Sequence, residues 1–225
     1  MDSQDRDAYV RRYEARLNEH GYSPQTLGWG MHGRQSVRFA VLADLAVRDP
    51  ESSVLDVGCG FADLYDYLLG KSWHGQYKGI DIVSSLLSVA RERHLSLDLE
   101  VLDINEAGDR LASFDYVVAS GVFNAELERG DNLVHITSGL QAMFKVARRA
   151  VCVDFMSTEV DFRKPGSWHT DPCWALREAY KLSRRVMLRQ DYMPYEFSII
   201  IFKDADISSR NVFAAFEREL NEPAA

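Results

Sequence analysis

The sequence predicts an α/β fold: a three-layer sandwich in which a mostly parallel β-sheet, ending in an antiparallel hairpin, lies between two layers of helices. After Pro50, short apolar runs alternate with helical stretches, a pattern that produces parallel strands joined by crossover helices. Near the C-terminal end this alternation gives way to two strand-like runs only three residues apart. Paired strands joined by so short a connection must be antiparallel. The chain has 225 residues, of which 46% are hydrophobic, and this suits one domain with one buried sheet.

Two amphipathic helices are predicted ahead of the sheet. Over residues 6–20 apolar side chains recur at helical spacing, and Gly21 is a plausible stop. Helical periodicity returns at Val37 and ends before Pro50, while residues 21–33 show none. We therefore predict that residues 1–50 form a helical cover over the functional site, and that residues 51–225 form the ligand-binding and catalytic domain, the two making one folded unit.

Five strands and three connecting helices follow from the apolar pattern. The strands are predicted at 53–57, 77–82, 97–102, 114–119 and 150–155, and the helices at 63–69, 84–93 and 133–147. The connection over 103–113 is short enough to be a helical turn only. A last helix over 172–182 leads to the two closing strands at 185–192 and 196–203, and residues 221–225 are expected to fray.

Composition limits the classes of partner. A formal net charge of -8 disfavours nucleic acid and anionic membrane surfaces. Three cysteines without paired spacing and no apolar leader at the start predict a reduced, cytoplasmic protein. No apolar run approaches the roughly 20 residues of a membrane helix, and the six histidines show no metal-ligand spacing. We expect a small-molecule substrate and no metal, and the sequence does not indicate the oligomeric state.

The strongest motif is a strand that runs into a Gly-x-Gly turn and then a helix, with Asp56 before the turn, Gly58 and Gly60 in it, and Asp63 after it. Glycines let the backbone approach a ligand closely. A carboxylate at Asp56 repels phosphate but attracts an ammonium group, and Asp63 stands where a dinucleotide fingerprint has its last glycine. The motif favours an aminoacyl ligand over a diphosphate, although a merely tight turn would also need these glycines.

Two further acids end the next predicted strands. Asp81 could accept hydrogen bonds from both hydroxyls of a ribose, and Asp103 from the amino group of adenine, with Ile82 and Ile104 on either side of the ring. Taken alone, Asp81 could equally cap the helix that follows it, and Asp103 would be unremarkable. Together, the three acids favour binding of one ligand more strongly than any of them does alone, because they end successive strands and the first is followed by glycines.

This ordered set resembles the Rossmann-like class I S-adenosylmethionine-dependent methyltransferases over roughly residues 53–203. The resemblance implies S-adenosylmethionine as cofactor, with Gly58 and Gly60 at its methionine part, Asp81 at its ribose, and Asp103 at its adenine. One departure is that Ala62 stands where the family has a third glycine, and its methyl group can change how the methionine tail lies.

Further candidate residues lie outside the motif. Ser120 and Asn124 follow the fourth strand, where members of the family usually face the sulfonium and the acceptor, so Asn124 could hold an acceptor amine or hydroxyl. Trp29 and Arg38 lie in a segment that resembles the N-terminal cover of a branch of these enzymes; Arg38 is the candidate for the cofactor's carboxylate because guanidinium grips carboxylate bidentately. His169 could deprotonate an acceptor. For Asn124, Arg38 and His169 a connecting, solvated or exposed role is the plain alternative.

The predicted function is transfer of methyl from S-adenosylmethionine to the nitrogen or oxygen of a small molecule. The alternative is an enzyme of the same fold that cyclises or cleaves the cofactor and releases methylthioadenosine, for example by forming azetidine-2-carboxylate. A protein that binds the cofactor without turnover is the third possibility. No motif separates the first two, because the cofactor brings its own leaving group and the protein mainly supplies alignment.

Overall fold

The computed structural model describes residues 1–29, 34–108 and 110–221. Seven strands in this part form one sheet in the order β3-β2-β1-β4-β5-β7-β6. Neighbours among β1 to β5 are parallel, and β7 is antiparallel to both β5 and β6. The mostly parallel sheet with an antiparallel end is thus confirmed. The strands are β1 (Val54–Val57), β2 (Tyr77–Asp81), β3 (Asp98–Val101), β4 (Phe114–Ala119), β5 (Ala147–Met156), β6 (Val186–Arg189) and β7 (Glu196–Phe202).

Helices cover both faces of this sheet. Consecutive strand residues point to opposite faces, so Val117 packs in one buried cluster with side chains of α6 and α7, while Val118 packs in another with α2, α4 and α5. The predicted three layers are therefore present. The helices are α1 (Ser3–His20), α2 (Arg34–Leu42), α3 (Asp44–Val47), α4 (Asp63–Leu69), α5 (Ser84–Arg93), α6 (Asn132–Val146), α7 (Pro172–Leu182) and α8 (Ala214–Asn221), and a 3-10 turn covers Ile104–Glu106.

The closing hairpin differs in detail from the sequence prediction. Its strands are antiparallel as expected, but the first ends at Arg189 and a six-residue connection follows it. The second strand pairs with β5 and the first lies at the sheet edge, an order that the sequence left open. This arrangement follows from burial, because β7 is buried along nearly its whole length whereas β6 is half-buried at the sheet edge. Helix α8 was not predicted, and of the tail expected to fray, residues 222–225 lie outside the described residues.

Helix α1 is tied to the sheet by one buried carboxylate. Asp5 accepts hydrogen bonds from the backbone N–H groups of Glu128, Arg129 and Gly130, at 2.9, 3.2 and 2.7 Å. These residues precede α6, so the bonds hold the N-terminal helix against the carboxyl-terminal edge of the parallel strands. Of the loop predicted over 21–33, residues 30–33 lie outside the described residues. The division into a cover and a catalytic domain stays a prediction.

Candidate functional site

Two adjoining cavities lie at the carboxyl ends of β1, β2 and β4, where open α/β sheets bind ligands. The first is lined by Asp56, Gly58, Gly60 and Ser120, among others. The second is lined by the four residues predicted to hold an adenosine: Asp81, Ile82, Asp103 and Ile104. The structure therefore brings these sequence-predicted residues to one edge of the sheet.

Each of these cavities holds only about 50 Å³. They share Tyr9, Gly58, Asp81 and Val122 in their linings. A small-molecule site commonly needs roughly 300 Å³ or more. A ligand that spans both cavities must therefore displace side chains at their boundary, where those of Tyr9, on α1, Asp81 and Val122 lie. Sequence reasoning recognised Tyr9 only as a packing residue of its helix.

The glycine turn after β1 has the backbone that the motif predicts. Gly58 and Gly60 have φ values of +70° and +54°, a region that other residues rarely adopt. A Cβ atom on Gly58 would lie 2.5 Å from Cγ2 of Val122. Ala62 also adopts this left-handed conformation, with φ 60° and ψ 32°. Its methyl group is fully buried and lies outside the lining of the first cavity.

Asp56 is a buried carboxyl group beside the turn. The hydroxyl of Tyr77 donates to its Oδ2 at 2.6 Å. Burial raises the pKa of Asp56 to about 7, although the hydrogen bond from Tyr77 lowers it and the nearby charge of Asp81 raises it further. Because Asp56 lines the first cavity, a bound cation would favour its ionised form.

Asp81 holds the turn and faces both cavities. Its Oδ2 accepts the N–H of Gly60 at 2.9 Å, and its Oδ1 accepts the N–H of Val83 at 2.8 Å. Burial raises the pKa of Asp81, while these backbone hydrogen bonds lower it. Each carboxylate oxygen can accept a second hydrogen bond, so both remain able to bind hydroxyl groups of a ligand.

Asp103 and His135 stand at the far end of the second cavity. Oδ1 of Asp103 accepts hydrogen bonds from the backbone N–H and the side-chain amide of Asn105, at 2.9 and 3.1 Å. The carboxylate therefore caps the turn that follows it and also lines the cavity. Burial lowers the pKa of His135, which keeps its ring neutral. Sequence reasoning missed His135, whose position in the middle of a helical pattern gives no signal.

A third cavity, of about 410 Å³, lies on the other side of Trp29 and Gly121 from the first. Both residues line both cavities, and a Cβ on Gly121 would lie 2.4 Å from Cη2 of Trp29. The indole ring thus packs directly on the backbone after β4. Asn124 and Arg38 line the third cavity, so two of the predicted candidates meet there rather than in the first cavity.

Arg38 makes an ion pair that the sequence does not predict. Its Nε donates to Oε2 of Glu196 at 2.5 Å, and its Nη2 donates to Oε1 of the same carboxylate. The guanidinium also lies 4.1 Å from the centroid of the Trp29 ring. Its third nitrogen, Nη1, is buried and has no hydrogen-bond partner in the described part of the chain. Nη1 is therefore the nitrogen that Glu196 leaves free for the predicted contact with a carboxylate.

Ser120 and Asn124 are both fixed by the neighbouring strand β5. Oγ of Ser120 donates to Oδ2 of Asp154 at 2.7 Å, and the N–H of Gly121 donates to Oδ1 at 2.7 Å. Burial raises the pKa of Asp154 to about 6. Oδ1 of Asn124 accepts the N–H of Met156 at 2.8 Å, which leaves its NH₂ group for the third cavity. Asp154 was missed because it lies inside an apolar run.

His169 does not join the other candidates. Its ring is buried, Nδ1 lies 2.7 Å from the carbonyl oxygen of Ser157, and Nε2 has no partner in the described part of the chain. None of the three cavities has His169 in its lining. The catalytic role predicted for His169 is untested, and this position gives it no support.

Within residues 1–29, 34–108 and 110–221, no group of three or more histidine, cysteine, aspartate or glutamate side chains is placed to hold a metal ion. In the same ranges, no helix has the length and apolar character needed to cross a membrane.

Sequence comparison gives two matches. A family model described as "Methyltransferase domain" matches residues 54–151. A protein of Mycobacterium tuberculosis (strain ATCC 25618 / H37Rv), named "Putative methyltransferase Rv1506c", is 32% identical over 157 residues. The match covers 67% of this chain and 93% of that protein.

Solved structures share the fold at low identity. Magnesium protoporphyrin IX methyltransferase from Synechocystis PCC 6803, with bound SAM, has a TM-score of 0.63 and 14% identity, over 90% of this chain and 97% of that one. The DhpI-SAH complex has a TM-score of 0.64 and 11% identity, over 89% and 97%. At such identities the likeness establishes a common fold.

Proposed function

The chain belongs to the class I S-adenosylmethionine-dependent methyltransferases, and from that premise we propose that it methylates a nitrogen or oxygen atom of a small-molecule acceptor. The family, its Rossmann-like fold and S-adenosylmethionine as cofactor, all predicted from the sequence, are confirmed. What is proposed is the class of acceptor and the part that each residue plays.

The charges around the first two cavities fit this cofactor. Their linings include three carboxylates, Asp56, Asp81 and Asp103, and among the described residues no lysine or arginine side chain; Met1, which carries the N-terminal amino group, lines the second. Such a surface attracts a cationic ligand and repels a diphosphate. When bound, S-adenosylmethionine supplies an electrophilic methyl group on a positively charged sulfonium, with a neutral thioether as leaving group.

We assign the chain's residues to this ligand from their positions. Asp81 would accept hydrogen bonds from the ribose hydroxyls, and Asp103 from the adenine amino group, with Ile82 and Ile104 against the ring. Gly58 and Gly60 would let the backbone approach the methionine part. Asp56 would pair with its ammonium group, and Trp29 would shield it from water.

One observation supports a small acceptor: the third cavity and its position. Its volume of about 410 Å³ falls within the roughly 300–1,000 Å³ of small-molecule sites. It adjoins the first cavity: Tyr13, Leu27, Trp29 and Gly121 line both, and Trp29 packs on Gly121 at this boundary. Asn124, already held through its Oδ1, would orient an acceptor amine or hydroxyl with its NH₂ group and so contribute by alignment.

The deciding experiment asks which bond of the cofactor breaks. Purified protein is incubated with S-adenosylmethionine, with and without the small-molecule fraction of a cell extract, and the products are identified by mass spectrometry. We expect S-adenosylhomocysteine only when the fraction is present, since without an acceptor no nucleophile is aligned with the methyl group. A macromolecular fraction and an Asp81→Ala variant serve as controls.

Two results would contradict the proposal. Rapid enzyme-dependent methylthioadenosine without any acceptor would favour the cyclising or cleaving alternative. S-adenosylhomocysteine formed only with the macromolecular fraction would show that the acceptor is not a small molecule.

A further inference from the structure

The third cavity concentrates positive charge. Among the described residues of its lining, one side chain is a carboxylate, Glu196, and five are cationic: Arg12, Arg16, Arg34, Arg38 and Lys164. They come from α1, from α2 and from the loop after β5. This concentration occurs in a chain whose formal net charge is -8, so it runs against the average charge of the surface.

Most of this charge is not neutralised within the protein. Glu196 is engaged by Arg38. No carboxylate of residues 1–29, 34–108 and 110–221 forms an ion pair with Arg12, Arg16, Arg34 or Lys164. The guanidinium of Arg16 lies 5.5 Å from the centroid of the Tyr13 ring and packs beside Gly28, where a Cβ atom would lie 3.0 Å from Nη1. The cavity therefore keeps four positive charges in excess.

The spacing of the arginines makes this excess of positive charge unfavourable for the stability of the two helices. Arg12 and Arg16 lie four residues apart on α1, and Arg34 and Arg38 lie four apart on α2, so each pair shares one helix face. Like charges at this spacing destabilise a helix. An anion bound among them would replace this repulsion with attraction.

Arg38 adds a buried donor to the same cavity. The residue is only 4% exposed, and Nη1 has no hydrogen-bond partner among the described residues. A buried donor without a partner is costly and uncommon. A ligand anion in the third cavity would satisfy it, while Glu196 continues to hold the other two nitrogens.

We propose that the acceptor is an anion, a small molecule that carries a phosphate or polycarboxylate group held by Arg12, Arg16 and Nη1 of Arg38. This rests on the proposed function, because it takes the third cavity as the acceptor site. Guanidinium groups bind phosphate and carboxylate oxygens through charge-assisted, bidentate hydrogen bonds. The anionic group would anchor the acceptor and so help to align its nucleophile.

The test uses the full chain saturated with S-adenosylhomocysteine, titrated calorimetrically at low ionic strength with inorganic pyrophosphate and, separately, with citrate. The variant combines Arg12→Gln and Arg16→Gln. The matched control is Arg11→Gln, because Arg11 is exposed on the same helix and lies outside the lining. Affinity for S-adenosylhomocysteine is measured for every protein first.

We expect the double variant to bind the anion about tenfold more weakly or worse, and added salt to weaken binding to the parent. The Arg11→Gln control should bind the anion as tightly as the parent does. Both variants should keep the parent's affinity for S-adenosylhomocysteine. The probe that binds more tightly identifies the anionic group as phosphate or carboxylate.

Three results would overturn the inference: neither probe binds, the double variant binds them as the parent does, or it loses affinity for S-adenosylhomocysteine instead, which would assign the arginines to the cofactor's own carboxylate. A parent protein that fails to bind S-adenosylhomocysteine would refute the proposed function itself.

Discussion

Replacing Asp56 with asparagine should change how the stability of the ligand-free protein depends on pH. Burial raises the pKa of this carboxyl group in the folded protein to about 7, against about 4 in an unfolded chain. A raised pKa means that the folded state holds the proton more tightly. The stabilisation is therefore fully present below about pH 4 and is lost as the pH rises through about 7.

The size of the effect follows from this difference in pKa. About three pKa units at roughly 1.4 kcal/mol each give at most about 4 kcal/mol. Between about pH 5 and about pH 8, the loss assigned to Asp56 is roughly 2 to 3 kcal/mol. An asparagine side chain cannot titrate, so the Asp56→Asn variant should gain that amount relative to the parent over the same interval. Groups that do not interact with Asp56 cancel in the comparison, whereas Asp81, whose charge raises the pKa of Asp56, responds to its replacement and contributes to the measured difference.

The measurement is urea unfolding of both proteins at the two pH values. Asp7→Asn, which changes an exposed carboxylate on α1, is the matched control and should keep the parent's pH dependence. The variant should also bind S-adenosylmethionine more weakly, since the proposed partner of the ammonium is lost. If the difference in unfolding free energy between parent and variant stays constant from pH 5 to pH 8, the pKa of Asp56 is not raised in the folded protein and the reasoning is refuted.

Three further predictions follow from the site. Asp81→Asn should weaken binding of S-adenosylmethionine by about 1 to 3 kcal/mol, and unchanged affinity in calorimetry would remove its ribose role. Arg38→Met should cost about 3 to 5 kcal/mol in urea unfolding because it leaves Glu196 buried without its partner; adding Glu196→Leu should recover most of it, and no recovery would contradict the pairing. Gly58→Ala should lose about 1 to 3 kcal/mol more than Gly166→Ala, since their φ values are +70° and +72° but only the first would meet a side chain, and equal losses would mean that backbone strain alone matters.

Local patterns in the sequence were enough to predict the sheet and the acids at the carboxyl-terminal edge of its parallel strands. Strand and helix periodicities are properties of neighbouring residues, so β1 to β5 and most helices were predicted to within a few residues. The aspartates were located for the same reason. A parallel strand ends at the ligand-binding edge of its sheet. The sequence position of an acid at the end of such a strand, such as Asp81, therefore also predicts its position in the fold.

Contacts between distant segments were beyond such patterns. Arg38 and Glu196 are 158 residues apart, and nothing near either one indicates its partner. Asp154 lies within an apolar run, where alternation alone gives no reason to connect it with Ser120. The pairing of β7 rather than β6 with β5 depended on which strand could bury more of its surface.

The sequence by itself thus determined the fold class, the cofactor and the acids at the edge of the sheet, because each is encoded by residues that are close in the chain. Only the tertiary structure decided the charge and size of the third cavity. Its cations come from α1, α2 and the loop after β5, and each arginine resembles an ordinary solvated side chain until the helices pack around the same space.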